Sequence, residues 1–227
     1  MSFIFKITTT TSPQSFTMPC HSYGTFNATV DYGDGTGSQT VTAYNDSNLT
    51  HSFATAGQHT ITIDGTFPNI RFSNNATSAA LVDEVVDLGD VGWLMLYSGF
   101  EDCTNLTSFS AGTANTVNNT YVQMMFRNCT SLTSVDLTNF DTSNLTSFSN
   151  MFQSCSSLTT LDLSSFDTSN VTNMILMFIG CSNLTTLDLS SFDTSSVTRM
   201  QLMFYGCTNL TDLDIKHFDV SSVTHAS

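Results

Sequence analysis

Residues 158–181 read LTTLDLSSFDTSNVTNMILMFIGC, and the same word recurs, with changes, on both sides of it. Cys103, Cys129, Cys155, Cys181 and Cys207 stand 26 residues apart, as do Phe100, Phe126, Phe152, Phe178 and Phe204, and Leu106, Leu132, Leu158, Leu184 and Leu210. A period kept without insertion marks stacked copies of one supersecondary unit, none of which can bury its apolar side alone.

Within a copy the apolar period changes once. Leu161 and Leu163 alternate with Thr160, Asp162 and Ser164, the pattern of a short strand with leucines inward. Val171, Met174, Met177, Phe178 and Cys181 then recur at spacings of three, three, one and three, which predicts one face of a short helix. Asp167-Thr168-Ser169-Asn170 lies between, made of side chains that accept bonds from free backbone N–H groups and so start helices. The expected unit is strand, capped turn, helix and return loop, with neighbouring strands about 4.8 Å apart.

The pattern MFxxCxxLTxLDLSxFDTSxVTxM, best kept from Met151 to Met200, resembles the BspA-type leucine-rich repeat, a variety also found in mycoplasma surface lipoproteins. The resemblance covers roughly Val82 onward and implies a solenoid used for surface recognition and adhesion rather than catalysis.

Composition agrees with a binding role. Charged residues are 11% of the 227, yet the formal net charge is −14, with Lys6, Arg71, Arg127, Arg199 and Lys216 as the only Lys and Arg. So few cations argue against nucleic acid or an anionic membrane surface as partner. No apolar run approaches the ~18 residues of a membrane span. At the N-terminus Phe3, Phe5 and Ile7 alternate with Ser2, Ile4, Lys6 and Thr8 and a polar Thr run follows, so the segment reads as a strand and not as a secretory leader. Either the chain is a mature form, or it is used without general secretion.

The stretch to about Ile70 reads as a small antiparallel β-domain. Phe26–Tyr32 runs into the turn Gly33-Asp34-Gly35-Thr36-Gly37, Gln39–Ala43 returns, and His59–Asp64 forms another strand. VDYGDGTGS followed by HSFATAGQHTITI resembles the PKD-type immunoglobulin-like sandwich, with Tyr32–Thr36 and His51–Gly57 on the pattern. That resemblance implies a spacer and interaction module. The chain therefore divides as α+β: a PKD-like β-sandwich over 1–72, a polar connection over Asn69–Ala80, and a leucine-rich-repeat solenoid over 81–227. The solenoid opens with a modified capping repeat at about 81–103, followed by copies carrying Cys129, Cys155, Cys181 and Cys207. Trp93 holds a core position in the first copy, either as a plug for the end of the stack or as a ligand contact. At the other end no polar capping copy follows Val223, so Phe218 and Val223 are expected to leave an apolar edge for contact with another subunit.

Five of the six cysteines are stacked equivalents, which favours a ladder of buried free thiols over disulfides; with no CxxC pair, metal ligation is disfavoured. Two aspartate ladders invite chemistry. Carboxylates about 5 Å apart repel by roughly 0.8 kcal/mol in water, so they call for hydrogen bonds or cations. Asp141, Asp167, Asp193 and Asp219 are read as turn caps. Asp136, Asp162, Asp188 and Asp214 are read as solvated decoration, with Ca²⁺ or glycan hydroxyls as the alternative. Asp31 and Asp34 form a second weak Ca²⁺ candidate against a plain glycine-rich hairpin.

No nucleophile elbow, HExxH motif or phosphate loop occurs, and His21, His51, His59, His217 and His225 are scattered. The expectation is a non-enzymatic recognition protein without a required cofactor. Its outward strand face is Ser134, Asp136, Thr138, Thr160, Asp162, Ser164, Thr186, Asp188, Ser190, Asp212, Asp214 and Lys216. Two settings compete. One is a bacteriophage virion protein, a tail fibre or head decoration that self-associates and contacts virion proteins or host surface protein or glycan; the other is a bacterial cell-surface adhesin. A glycan-degrading enzyme is a remote third.

Overall fold

The alternation Phe3-Phe5-Ile7 forms the strand on which both halves of the protein are assembled. In the structure, a computed structural model describing residues 1–224, the strands in chain order are β1 (Phe3–Thr9), β2 (Gln14–Thr17), β3 (Asn27–Asp31), β4 (Gln39–Val41), β5 (Thr50–Phe53), β6 (Gly57–Thr66), β7 (Val82–Asp87), β8 (Ser108–Ser110) and β9 (Ser134–Asp136). β1 pairs antiparallel with β6 on one side and with β7 on the other, so its odd residues are fully buried. A single open sheet results, ordered β4-β3-β6-β1-β7-β8-β9, with β2 and β5 paired as a second small sheet.

From β7 onward the pairing is parallel, as stacking of like copies requires. Glu84 faces Ser108 and Ser108 faces Ser134, steps of 24 and then 26 residues that match the shortened first copy. One continuous apolar core runs through both halves. At the join, Phe3 meets the edge of Trp93 with ring centroids 5.2 Å apart, and Trp93 Nε1–H donates to the Leu88 carbonyl at 3.0 Å. Trp93 is thus buried beneath β1. The Asn69–Ala80 stretch, expected as a polar connection, is part of this core: Asn69, Ile70, Phe72 and Ala79 are buried, and the stretch closes with the one-turn helix α1 (Ala76–Ala79).

The helix expected in every 26-residue copy does not form; among the described residues α1 is the only α-helix. Residues 122–129 instead make three consecutive β-turns, in which the N–H groups of Met125, Arg127 and Cys129 donate to the carbonyls of Val122, Met124 and Phe126. The alternate N–H groups of Met124, Phe126 and Asn128 donate to the carbonyls of Ser149, Met151 and Gln153 in the next copy. A helix would spend every N–H within its own segment, whereas this ribbon of turns spends half of them holding the next copy. The apolar spacing is still satisfied, since Val171, Met174, Met177, Phe178 and Cys181 all point inward and are buried. Their rings stack copy on copy, with Phe126–Phe152, Phe152–Phe178 and Phe178–Phe204 centroids 5.5, 5.9 and 5.8 Å apart.

The turns require a left-handed residue every fourth position, and the sequence supplies two columns of them. Asp102, Asn128, Ser154, Gly180 and Gly206 form one, all with positive φ and all of types that tolerate it, except that Ser does so less readily. Ser98, Met124, Asn150, Leu176 and Leu202 form the other. For Met and Leu that backbone costs about 1–2 kcal/mol each, a strain the bonds between copies offset. The strand expected in each copy also fades along the stack. β8 and β9 are paired strands, but around Leu161 and Leu187 the chain is extended with leucines inward while cross-copy bonding shrinks to contacts such as Thr185 N–H to the Thr159 carbonyl.

Candidate binding faces

Parallel stacking sets each kind of side chain in a column, so the outward strand positions of successive copies become one face. All twelve residues expected there, from Ser134 to Lys216, are exposed. Their carboxylates are occupied locally: Asp136 accepts from the Thr138 N–H at 3.0 Å and hydroxyl at 2.8 Å, and Asp162 and Asp188 each accept from the N–H two residues on at 2.9 Å. Asp214 accepts from the Lys216 N–H at 3.1 Å. The backbone N–H bonds, reinforced by the neighbouring hydroxyls, hold Asp136, Asp162 and Asp188 below the usual carboxylate range. Two shallow hollows of about 320 and 330 Å³ lie between these columns. Among the described residues no group of three or more His, Cys, Asp or Glu is placed to share a metal ion.

The second aspartate ladder caps turns, as the sequence suggests. Asp167, Asp193 and Asp219 accept from the N–H of Ser169, Ser195 and Ser221, and serine hydroxyl and N–H together lower their pKa values. The sequence reading overlooked the residue beside them. Thr116, Thr142, Thr168 and Thr194 are buried, and each hydroxyl is bonded twice to the next copy. Thr168 Oγ1 accepts from the Asp193 N–H at 2.8 Å and donates to the Asp193 carbonyl at 3.0 Å. The 26-residue recurrence of Thr inside the apolar register was the available signal.

The thiols form the expected ladder. All six cysteines are free, and the sulfurs of Cys129, Cys155 and Cys181 lie 3.1 Å from the carbonyls of Phe100, Phe126 and Phe152 in the preceding copy. Burial pushes the Cys103, Cys129 and Cys155 thiols far above their ordinary pKa, and that of Cys181 to about 12.

In the N-terminal half the two stretches carrying the YGDGT and HSFATAG words meet. His51 lies flat on Tyr32 with centroids 4.3 Å apart and pairs with Asp34 at 2.7 Å, both side chains being almost covered. Asp34 is pushed up by its partial burial but pulled down further by Thr36 and His51, to about 2. Asp31 accepts from the Gly33 N–H, shaping the same turn.

At the last copy Phe218 is half-buried and borders an apolar hollow of about 360 Å³ with Met203, Phe204 and the exposed Tyr205. Val223 is half-buried and bonds back to Val220, away from that hollow. His225, Ala226 and Ser227, in the segment where the spacing places the start of the next helix, lie outside the described residues.

A concavity of about 660 Å³ runs along the stack away from the aspartate face. It is bordered by Arg71 and Tyr97 near the junction, by Tyr121, Thr146 and Asn173 along its length, and by Arg199 towards the far end. The buried Asn69 sets up the junction end: its side chain accepts from the His21 N–H at 2.6 Å and donates to the Tyr23 carbonyl, fixing the loop that brings His21 to the rim. The sequence reading missed this face, because most of its residues lie on the segments expected as helices, where only the inward apolar positions were followed.

Residues 120–227 match the model of a family described as Mycoplasma protein of unknown function, DUF285. Neither the curated proteins nor the solved structures contain a match to the chain.

Proposed function

We propose that the protein is a non-enzymatic recognition module: a PKD-like sandwich leading into a BspA-like leucine-rich-repeat solenoid that makes multivalent contact with protein or glycan at an exterior surface. The observation that carries this reading is the columnar face itself. From Ser134 to Ser190 three copies each offer an exposed carboxylate between two hydroxyls, and the fourth continues the column with Asp212, Asp214 and Lys216; repetition suits a repetitive partner because avidity multiplies weak contacts. Such a ladder offers no unique pair of carboxylates of the kind glycoside hydrolysis uses. The meeting of Tyr32, Asp34 and His51 supports the PKD-like part, and the family match over 120–227 supports the repeat part.

Two settings follow from different observations. Six free cysteines favour a protein assembled in a reducing compartment, such as a phage virion component, with the Phe218 hollow as a contact between subunits. The Mycoplasma family match favours a cell-surface adhesin. The test is binding of the chain, free and displayed in many copies on a bead, to bacterial envelopes and to purified virion proteins. Display should raise retention by at least about a hundredfold, and Asp162→Lys with Asp188→Lys should abolish the gain. Equal retention of free and displayed chain would sink the multivalent reading, and the surface retained, envelope or virion, separates the settings.

A further inference from the structure

We propose that the groove on the opposite side of the stack binds a linear acidic saccharide, with carboxylates meeting Arg71 at one end and Arg199 at the other. This does not depend on the aspartate face being a binding surface. The first support is charge placement. The chain has 19 Asp and Glu against five Lys and Arg, yet Arg71, Arg199 and His21 border the groove and no carboxylate does. Of the other three basic side chains, Lys6 pairs with Glu84 at 2.7 Å and Arg127 with Glu101 at 2.9 Å, while Lys216 stands 91% exposed on the aspartate face, 3.9 Å from Asp214. Among the described residues neither Arg71 nor Arg199 has a carboxylate partner. Arg71 donates Nε–H to Ser73 Oγ at 2.9 Å and keeps its terminal N–H groups for a ligand, and Arg199 is exposed at the other end.

The second support is shape and surface chemistry. Parallel bridges join Asn69 to Met95, Ser147 to Asn173, and Asn173 to Arg199, so the groove floor advances one copy at a time. Arg71 and Arg199 are five copies apart, ~24 Å at about 4.8 Å per step. A ligand touching both is therefore extended and carries more than one anionic unit. Between them Tyr121 stands 47% exposed, Tyr97 lies under the Arg71 guanidinium at 5.1 Å, and Thr146, Thr172 and Thr198 present a column of hydroxyls. Aromatic faces with spaced hydroxyl and amide groups fit sugar rings.

Other anionic polymers fit less well. A peptide strand would need free backbone groups, but here they are taken: the N–H groups of Thr172 and Thr198 donate to Thr146 and Thr172, and that of Met174 donates to Arg199. A nucleic acid calls for a series of aromatic platforms for its bases, whereas the groove has two tyrosines set among hydroxyl and amide side chains.

The experiment is calorimetry of the full chain with hexagalacturonate, its methyl ester and a sialic acid hexamer, beside poly-glutamate and single-stranded DNA. At least one acidic saccharide should bind, and the neutral ester should bind at least about tenfold more weakly, because a charged hydrogen bond is lost at each end. Arg71→Gln and Arg199→Gln should each weaken the acidic ligand about tenfold and combine additively, as sites this far apart do. Tyr121→Ala should weaken acid and ester alike, whereas Lys6→Gln, which removes a cation outside both faces, should leave both unchanged. Equal affinity for acid and ester, arginine variants that bind normally, tighter binding of poly-glutamate or DNA, or no binding of either acidic hexamer at millimolar concentration would each overturn the assignment. Far-ultraviolet dichroism matching the parent protein keeps a lost affinity from being mistaken for misfolding.

Discussion

Replacing Thr168 by Val removes one hydroxyl and keeps the shape, and that hydroxyl is what joins two copies at the turn. It accepts from the Asp193 N–H at 2.8 Å and donates to the Asp193 carbonyl at 3.0 Å, from a buried position. Two neutral hydrogen bonds at about 0.5–1.5 kcal/mol each give an expected loss of about 1–3 kcal/mol. Water reaching the exposed Asp193 backbone would place the result in the lower half of that range. Thr168→Ser keeps the hydroxyl and loses one methyl, so it should cost only about 1 kcal/mol. Trp93 is the single tryptophan and is fully buried, so its fluorescence reports urea unfolding directly. The expected outcome is a lower midpoint with an unchanged slope for Val, and a smaller change for Ser. If Ser proves as destabilising as Val, methyl packing and not the hydroxyl ladder holds this column, and the reasoning fails. Thr142→Val combined with Thr194→Val, two copies apart, should be close to additive.

Other expectations follow from the same packing. Thiol reagents should modify the half-buried Cys207 first, Cys20 more slowly because burial pushes its thiol up as well, and leave Cys103, Cys129, Cys155 and Cys181 unreacted until denaturant is added, since burial raises their pKa values; rapid reaction of all six in the native protein would contradict the ladder. Asp34 has its folded pKa lowered to about 2. Its contribution, about 1–2 kcal/mol after allowance for solvent screening, is therefore present above roughly pH 4 and lost as pH falls toward 2. Asp34→Asn should flatten that part of the stability curve, and an unchanged acid limb would remove the claim. Trp93→Ala should cost about 3–5 kcal/mol because the ring fills the join between the halves; a loss under 1 kcal/mol would show that the two halves do not share a core.

The sequence made the period, the inward leucines, the stacked phenylalanines and the free thiols legible, because each is a column fixed by burial. It also made the N-terminal strands legible through the alternation at Phe3, Phe5 and Ile7 and the glycine turn after Tyr32. What failed was the step from apolar spacing to helix. Val171, Met174, Met177, Phe178 and Cys181 fit a helical face, but a ribbon of β-turns buries the same five positions. The discriminating column was Asp102, Asn128, Ser154, Gly180 and Gly206, residue types suited to positive φ, recurring where a helix would have no use for them. The aspartate face could be anticipated because strand alternation shows which side chains point out. The groove could not, since the residue type changes along its 26-residue column, from Met95 and Tyr121 to Ser147, Asn173 and Arg199, and the helix expected there hid which of these positions face outward.

Both faces exist because the copies bond to one another through their turns, and one coupling tests this most directly. Through-hydrogen-bond scalar coupling in isotope-labelled protein should connect the Phe152 amide nitrogen to the Met177 carbonyl carbon, whose oxygen lies 3.0 Å from it in the next copy. A coupling from Phe152 to the Phe148 carbonyl instead would mean that each copy closes its own helix, and the stacked-turn account would be wrong.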